Sequence, residues 1–368
     1  MFVLVCAGCG TDLTVPLSQV ALPVHARQQY GNGAQLPVLM EPGTFAVDPD
    51  PWGGPWRMWA EADPGEAEAR GIYAPVHALS GGTPGASVIA PGDIRGTRLI
   101  PEKRGDACCG LDGADGPNIA CEACDLPVGA RVDDCSLWQM VRLGSDVVHR
   151  LPVDGIPPAP LSWAELTEQG EKTPPFEPIA TWGGRLGPSH YWSWSPRWEA
   201  AAGQALAHLL VASQGQPVKV PDGMAADVFQ RALDALLPAG ALKRRAVLAG
   251  PGRPSPDAGV DILLVPVHPR TGRTWCPGDL DAGVYLVPLP LGVWLWLVSP
   301  EPDLPVPASG RIAQDVLRDE PLPLLPDRLF RADRGTFRHA LVRLPAVRSP
   351  WLSTILENLT RSTSAGLF

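Results

Sequence analysis

Short apolar runs separated by glycine and proline dominate the first 150 residues. Phe2–Val5, Gly71–Leu79, Ser87–Ala90 and Thr97–Ile100 have the length and composition of strands between turns. One helix is expected at Ser136–Leu143, with Asp133, Asp134 or Ser136 as its cap. Later in the chain the spacing becomes helical. Ser195 as N-cap and Pro196 at the first helical position open a helix to about Val211, with Leu206, Leu209 and Leu210 on its apolar face. A second helix is expected over Asp222–Leu237, where Met224, Val228, Phe229, Leu233, Leu236 and Leu237 repeat. Strands are predicted at Arg245–Leu248, Val260–Val265, Val284–Leu289, Val293–Val298 and Phe337–Leu344, and a last helix at Pro350–Leu359.

Between Leu151 and Pro178 proline is concentrated. Proline fixes φ and removes a backbone donor, so this stretch is expected to be a linker or strap with at most a short helical turn at Ser162–Gln169. The pattern therefore predicts an α+β protein. A β-rich N-terminal domain (1–150) is followed by a Pro-rich linker (151–178) and a mixed α/β C-terminal domain (179–368).

Composition sharpens this picture. The chain has 368 residues, with 43 Pro, 39 Gly and only 19% charged residues. Arg far outnumbers Lys, and usage heavy in Ala, Gly, Pro and Arg is what a GC-rich bacterial genome produces. The net charge of −9 sits almost entirely in residues 1–150. That disfavours nucleic acid as a partner and attraction to an anionic membrane. Thirteen Trp, clustered as Trp52/Trp56/Trp59, Trp192/Trp194/Trp198 and Trp294/Trp296, are expected to plug a loop-rich fold.

The longest uncharged stretch, Ala282–Pro300, is broken by Gly283, Pro288, Pro290 and Gly292, so it reads as buried strands, not a membrane span. No leader is evident at Met1–Val5. Four of the eight Cys fall in C-x-x-C pairs, which suits metal binding in a reducing cytoplasm better than a disulfide framework.

The strongest motif is Cys6-Ala7-Gly8-Cys9-Gly10. A tight turn can point both sulfurs at one tetrahedral ion, and the Gly after the second Cys frees the backbone to turn back. A redox pair of the same spacing opens a helix, which Thr11–Pro16 does not. A four-Cys site needs a second pair, and Cys121-Glu122-Ala123-Cys124 supplies it. The two pairs resemble the knuckles of a zinc ribbon. The resemblance covers only the residues around each pair, and their wide separation departs from the ribbon pattern. It implies a structural zinc held by Cys6, Cys9, Cys121 and Cys124. Alternatives stay open, among them that the cysteines hold no metal at all. Cys108 or Cys109 can join Cys121, Cys124 and Cys135 in a local site, or Cys108, Cys109 and Cys135 are simply small buried residues.

Signals for catalysis are weaker. There is no G-x-S-x-G, phosphate-binding loop, dinucleotide fingerprint or H-E-x-x-H. The loop from His268 to Asp281 gathers His268, Arg270, Arg273, Cys276, Asp279 and Asp281, from which a Cys–His–Asp constellation can be drawn. Besides a nucleic-acid-binding role for the ribbon-like site, which the acidic charge of its own domain disfavours, two readings of function follow. One is a cytosolic zinc-stapled module that binds another protein. The other is a hydrolase or transferase with its site on the His268–Asp281 loop.

Overall fold

The computed structural model describes residues 1–30, 34–103, 105, 107–153, 159–181, 189–241, 243–254, 259–278, 283–300, 328–361 and 368. Sheets and helices are both present, and the fold class is α+β. The chain forms two compact units. The first holds Met1–Pro160 and Pro269–Gly272, and the second Leu161–His268 and Arg273–Phe368.

The first unit is built on strands β1 (Phe2–Cys6), β2 (Ser18–Gln19), β3 (Thr44–Asp48), β4 (Ala86–Ile89), β5 (Thr97–Leu99), β6 (Ile119–Cys121), β7 (Pro127–Val132), β8 (Met140–Leu143) and β9 (Val148–Pro152). Seven of them make one sheet in the order β2-β3-β4-β8-β7-β6-β5, antiparallel except for the β2–β3 pair. β1 and β9 pair as a separate antiparallel ribbon, from Phe2 opposite Pro152 to Cys6 opposite Val148.

The sheet buries side chains on both faces. Phe45, Ile89 and Val141 join a core with Leu4, Leu13, Val128, Cys6 and Cys121. Their neighbours Ala46, Val88 and Met140 point the other way, into a core with Leu36, Val132 and Trp138. Strands covered on both faces read as continuous apolar runs, not as an alternation. Into this interior the sheet also draws charge. Asp48 at the end of β3 is fully buried and paired with Arg142 of β8. Arg27 also pairs with Asp48 and reaches Asp50 at 3.0 Å, and the Trp52 ring lies 5.3 Å from the Arg142 guanidinium. Burial lowers the Arg142 pKa, and the Asp48 carboxylate opposes that shift.

In the second unit, α1 (Trp163–Gln169) starts at a capping box of Ser162 and Glu165 and ends at Gly170, whose φ of 61° is left-handed. β10 (Phe176–Thr181) and β11 (Ser189–Trp194) pair antiparallel. Ser195 then caps α2 (Pro196–Ser213) by position only, because its hydroxyl donates to Glu177 Oε1 at 2.7 Å. α2 is buried on nearly every face. β12 (Val218–Lys219) follows, then a π-helical turn at Ala226–Gln230 that runs into α3 (Arg231–Leu236). β12, β13 (Arg244–Leu248), β14 (Ile262–Val267) and β15 (Tyr285–Pro290) form a four-stranded parallel sheet in chain order. α4 (Leu291–Val298), α5 (Arg334–Leu341) and α6 (Pro350–Arg361) complete the unit.

Four sequence expectations are corrected. Ser136–Leu143 is not a helix. Ser136 sits at a φ of 68°, and Met140–Leu143 is the fully buried strand β8. Val293–Val298 belongs to helix α4, not a strand, and Trp294 and Trp296 on it are both buried. Phe337–Leu344 is largely helix α5, started by Asp333, whose carboxylate accepts the Thr336 N–H at 2.6 Å. Of the expected Gly71–Leu79 strand only Ala78 and Leu79 are extended, in a short strand Ala78–Ser80 paired with Trp56–Met58. In the Pro-rich stretch, α1 appears where the helical turn was expected, yet Pro178 takes a place in β10.

Candidate metal centre

Both C-x-x-C pairs sit at strand ends that run out of one core. Cys6 closes β1 and Cys121 closes β6. Their turns share a backbone pattern. Gly10 N–H donates to Cys6 O at 2.8 Å, and Cys6 N–H donates to Thr11 O at 2.9 Å. In the second turn Asp125 N–H donates to Cys121 O at 2.9 Å, and Cys121 N–H donates to Leu126 O at 2.9 Å. The residue after the second Cys is left-handed in both, Gly10 at φ 77° and Asp125 at φ 60°. Gly suits that conformation without strain, and Asp is among the few other residues that adopt it readily.

The two turns face each other. Cys6 Sγ lies 3.5 Å from Cys124 Sγ, and Cys9 Sγ lies 3.6 Å from Cys121 Sγ. All four sulfurs are within 4.8 Å of one another. A tetrahedral ion with metal–sulfur bonds of ~2.3 Å has sulfur–sulfur edges of ~3.8 Å, so the cage has the size such an ion requires. Cys6 and Cys121 are buried, while Cys9 and Cys124 are exposed. Gly8 fits because it has no side chain. A Cβ there would stand 3.3 Å from Leu126 Cδ2 and 3.4 Å from Cys124 Sγ.

The electrostatics of the sulfurs differ. The hydroxyl and N–H of Thr11 stabilise the Cys9 thiolate and bring its pKa down to about 6. At Cys124 the Leu126 N–H also favours the thiolate. Sharing protons with Cys9 and Cys6 wins, and that thiol is pushed up to about 12. Burial raises Cys121, against the N–H groups of Ala123 and Cys124. A cation in the cage would remove this competition, because all four sulfurs could then be thiolates at once.

Cys108, Cys109 and Cys135 do not join Cys121 and Cys124. They gather instead with Asp134, a residue that sequence reasoning weighed only as a helix cap. The ligating atoms of this second group also lie within 4.8 Å of one another. Cys108 and Cys109 are exposed, which removes the reading of them as small buried residues; Cys135 is buried. Each of the two cysteine groups could hold a metal ion. No known family, characterised protein or solved structure matches this chain.

Of the catalytic candidates, only His268, Arg270, Arg273 and Cys276 fall among the described residues. His268 is buried, its ring 5.3 Å from that of Trp163. His268 Nε2 lies 2.9 Å from Leu161 O. A carbonyl only accepts, so Nε2 carries the proton and donates it. Cys276 is exposed. Asp279 and Asp281 lie outside the described residues. Among the Trp, Trp138, Trp194, Trp198, Trp294 and Trp296 are buried, whereas Trp56 is 57% exposed beside exposed Met58.

Proposed function

We propose that the chain is a cytoplasmic zinc-binding protein. One structural zinc is held by Cys6, Cys9, Cys121 and Cys124, and the first unit acts as a binding module for a protein partner. The observation that carries the metal reading is the facing of two turns with matched backbone hydrogen bonds. Soft thiolates in a tetrahedral cage select zinc or iron over the hard divalent cations, and zinc is the usual occupant of such knuckles. Four protein ligands leave no coordination position for a substrate, so the ion's role is to hold the fold.

Two observations support the binding module. Exposed Trp56 and Met58 lie two residues apart on one short strand, and aromatic and Met side chains are enriched at protein interfaces. The net charge of −9 argues against nucleic acid as the partner.

Metal analysis of the purified chain tests the first part. Loss of one zinc equivalent from both Cys6→Ser and Cys121→Ser supports the ligand set, and a zinc content unchanged from the wild type in both variants refutes it. An iron content with visible absorption refutes the choice of metal. For the second part, a photo-crosslinking amino acid at position 56 in the native host should yield one discrete protein adduct, and one at Arg98 should not. Equal or absent labelling at both positions refutes the module.

A further inference from the structure

The second cysteine group lies at the far end of β7 from the first. Cys124 precedes β7 and Asp134 follows it, and β7 itself spans Pro127–Val132. Six residues at ~3.3 Å each place ~20 Å between the strand's two ends, so one ion cannot serve both groups.

The second group is built, not incidental. Cys108 Sγ lies 3.1 Å from Cys135 Sγ and 3.5 Å from Cys109 Sγ. Asp134 Oδ1 lies 3.1 Å from Cys109 Sγ and 3.8 Å from Cys108 Sγ. A tetrahedral zinc-class ion has sulfur–sulfur edges of ~3.8 Å and sulfur–oxygen edges of ~3.5 Å, so the group is somewhat tighter than a filled cage and would open by a few tenths of an ångström around an ion. The backbone around the group is fixed as the surroundings of metal ligands usually are. Cys109 N–H donates to Asp134 Oδ1 at 3.0 Å, and Cys135 N–H donates to Cys109 Sγ at 3.4 Å. Leu111 N–H donates to Asp133 Oδ1 at 2.8 Å, and Asp133 N–H returns a bond to Leu111 O at 2.8 Å.

The fold also gives such a site a purpose. The connection from β5 to β6 has no helix or strand among its described residues. A connection of that length inside a compact unit needs something to hold it. Cys108 and Cys109 lie in the middle of it, while Asp134 and Cys135 lie just beyond the end of β7.

We propose that Cys108, Cys109, Cys135 and Asp134 bind a second zinc-class ion, independent of the first, and that this ion is the exchangeable one. Two differences between the cages set the order. Each cage exposes two cysteines, but the first roots both its knuckles in the core through Cys6 and Cys121, whereas the second has one buried cysteine, Cys135, and leaves the whole Cys108-Cys109 pair exposed. The second also replaces one thiolate by a carboxylate, a harder ligand that binds zinc-class ions less tightly in a mixed site. An incoming chelator therefore reaches the second ion sooner and displaces a weaker donor.

The test uses the full chain, loaded with zinc under reducing conditions and mixed with the chromogenic chelator 4-(2-pyridylazo)resorcinol. Release of about two ions per chain is expected, in two phases at least ~10-fold apart in rate. Cys135→Ser should abolish the fast phase and keep the slow one. The retained slow phase reports, in the same sample, that the first unit is still folded. Cys121→Ser should do the reverse, so a missing slow phase in the wild type overturns the structural staple and not this second site. Asp134→Asn should speed the fast phase while cysteine content stays constant. One ion per chain that survives Cys135→Ser overturns the proposal, as does release of both ions at one rate. A Cys108–Cys135 disulfide in freshly purified protein, seen by mass spectrometry without reduction, also overturns it.

Discussion

Removing the metal from Cys6/Cys9/Cys121/Cys124 should destabilise the first unit selectively. The perturbation is chelation under reducing conditions, with Cys121→Ser, which leaves the second cysteine group intact, as the arm that isolates this ion. The ion would tie Cys6 to Cys124, 118 positions apart. A cross-link closing a loop of that size removes ~16 cal/mol/K of chain entropy from the unfolded state, about 5 kcal/mol at 25 °C. Loop entropy grows only with the logarithm of length, so the figure is insensitive to where the loop is taken to begin. Domains of this size have total stabilities of about 5–15 kcal/mol, so the staple would supply a third or more. At 2–4 °C per kcal/mol, the first unit should melt roughly 10–20 °C lower without metal. Differential scanning calorimetry with and without chelator reads this directly. The transition of the second unit serves as an internal reference, and Cys276→Ser, outside both cysteine groups, controls for loss of a thiol. A chelated protein whose two transitions stay within about 2 °C of the loaded form would refute the loop-closure reasoning.

Other outcomes follow from the same structure. Arg142→Met leaves Asp48 buried with Arg27 as its remaining partner, and stripping one side of a buried ion pair costs about 3–5 kcal/mol, measurable by urea denaturation. Gly8→Val crowds Cys124 Sγ and Leu126, and metal affinity by competition titration should fall roughly 10–100-fold, as when the support of a metal site is disturbed. Glu199, at the start of α2, has its pKa pushed up to about 8 by burial, against the pull of Arg328. The folded state thus holds a proton that the unfolded state has already released, so stability of the second unit should fall as pH rises from about 4.5 to about 8. Glu199→Gln should flatten that slope in melts across the range. Gly250→Ala places a Cβ 2.2 Å from the Trp294 ring and should destabilise the second unit by about 1–3 kcal/mol.

How much of this was legible depended on the range of the interaction that decided each element. The Ser162 capping box and the Pro196 start of α2 are local, and both could be read from neighbouring residues. So could the strand at Phe2–Cys6 and the turn chemistry of Gly10. Helix α4 could not. Leu291–Val298 is an unbroken apolar run, and such a run has the same pattern as a buried helix or a buried strand. Its state is set by how Trp294 is seated, with its Nε1 donating to Leu264 O of β14 at 3.2 Å. Helix α5 was missed for a different reason. Phe337, His339 and Leu341 alternate like a strand, while the opposing signal, the Asp333 cap on Thr336, is a single hydrogen bond.

The cysteines show the same division most sharply. Two C-x-x-C turns announce themselves in sequence, because two residues between the sulfurs is all that a chelating turn needs. That the turn at Cys6 meets the turn at Cys121 is a fact of packing. β1 and β6 end in one core, and the contact spans more than a hundred positions. The second group had no such announcement. Cys108-Cys109 and Asp134-Cys135 are ordinary dipeptides until the reciprocal hydrogen bonds between Leu111 and Asp133 bring them together. Sequence alone therefore determined which residues could bind a metal and where the chain could turn, since those depend on side-chain chemistry and local backbone freedom. Only the tertiary structure decided which ligands meet, because long-range pairing is fixed by burial in a shared core, and no spacing along the chain encodes it.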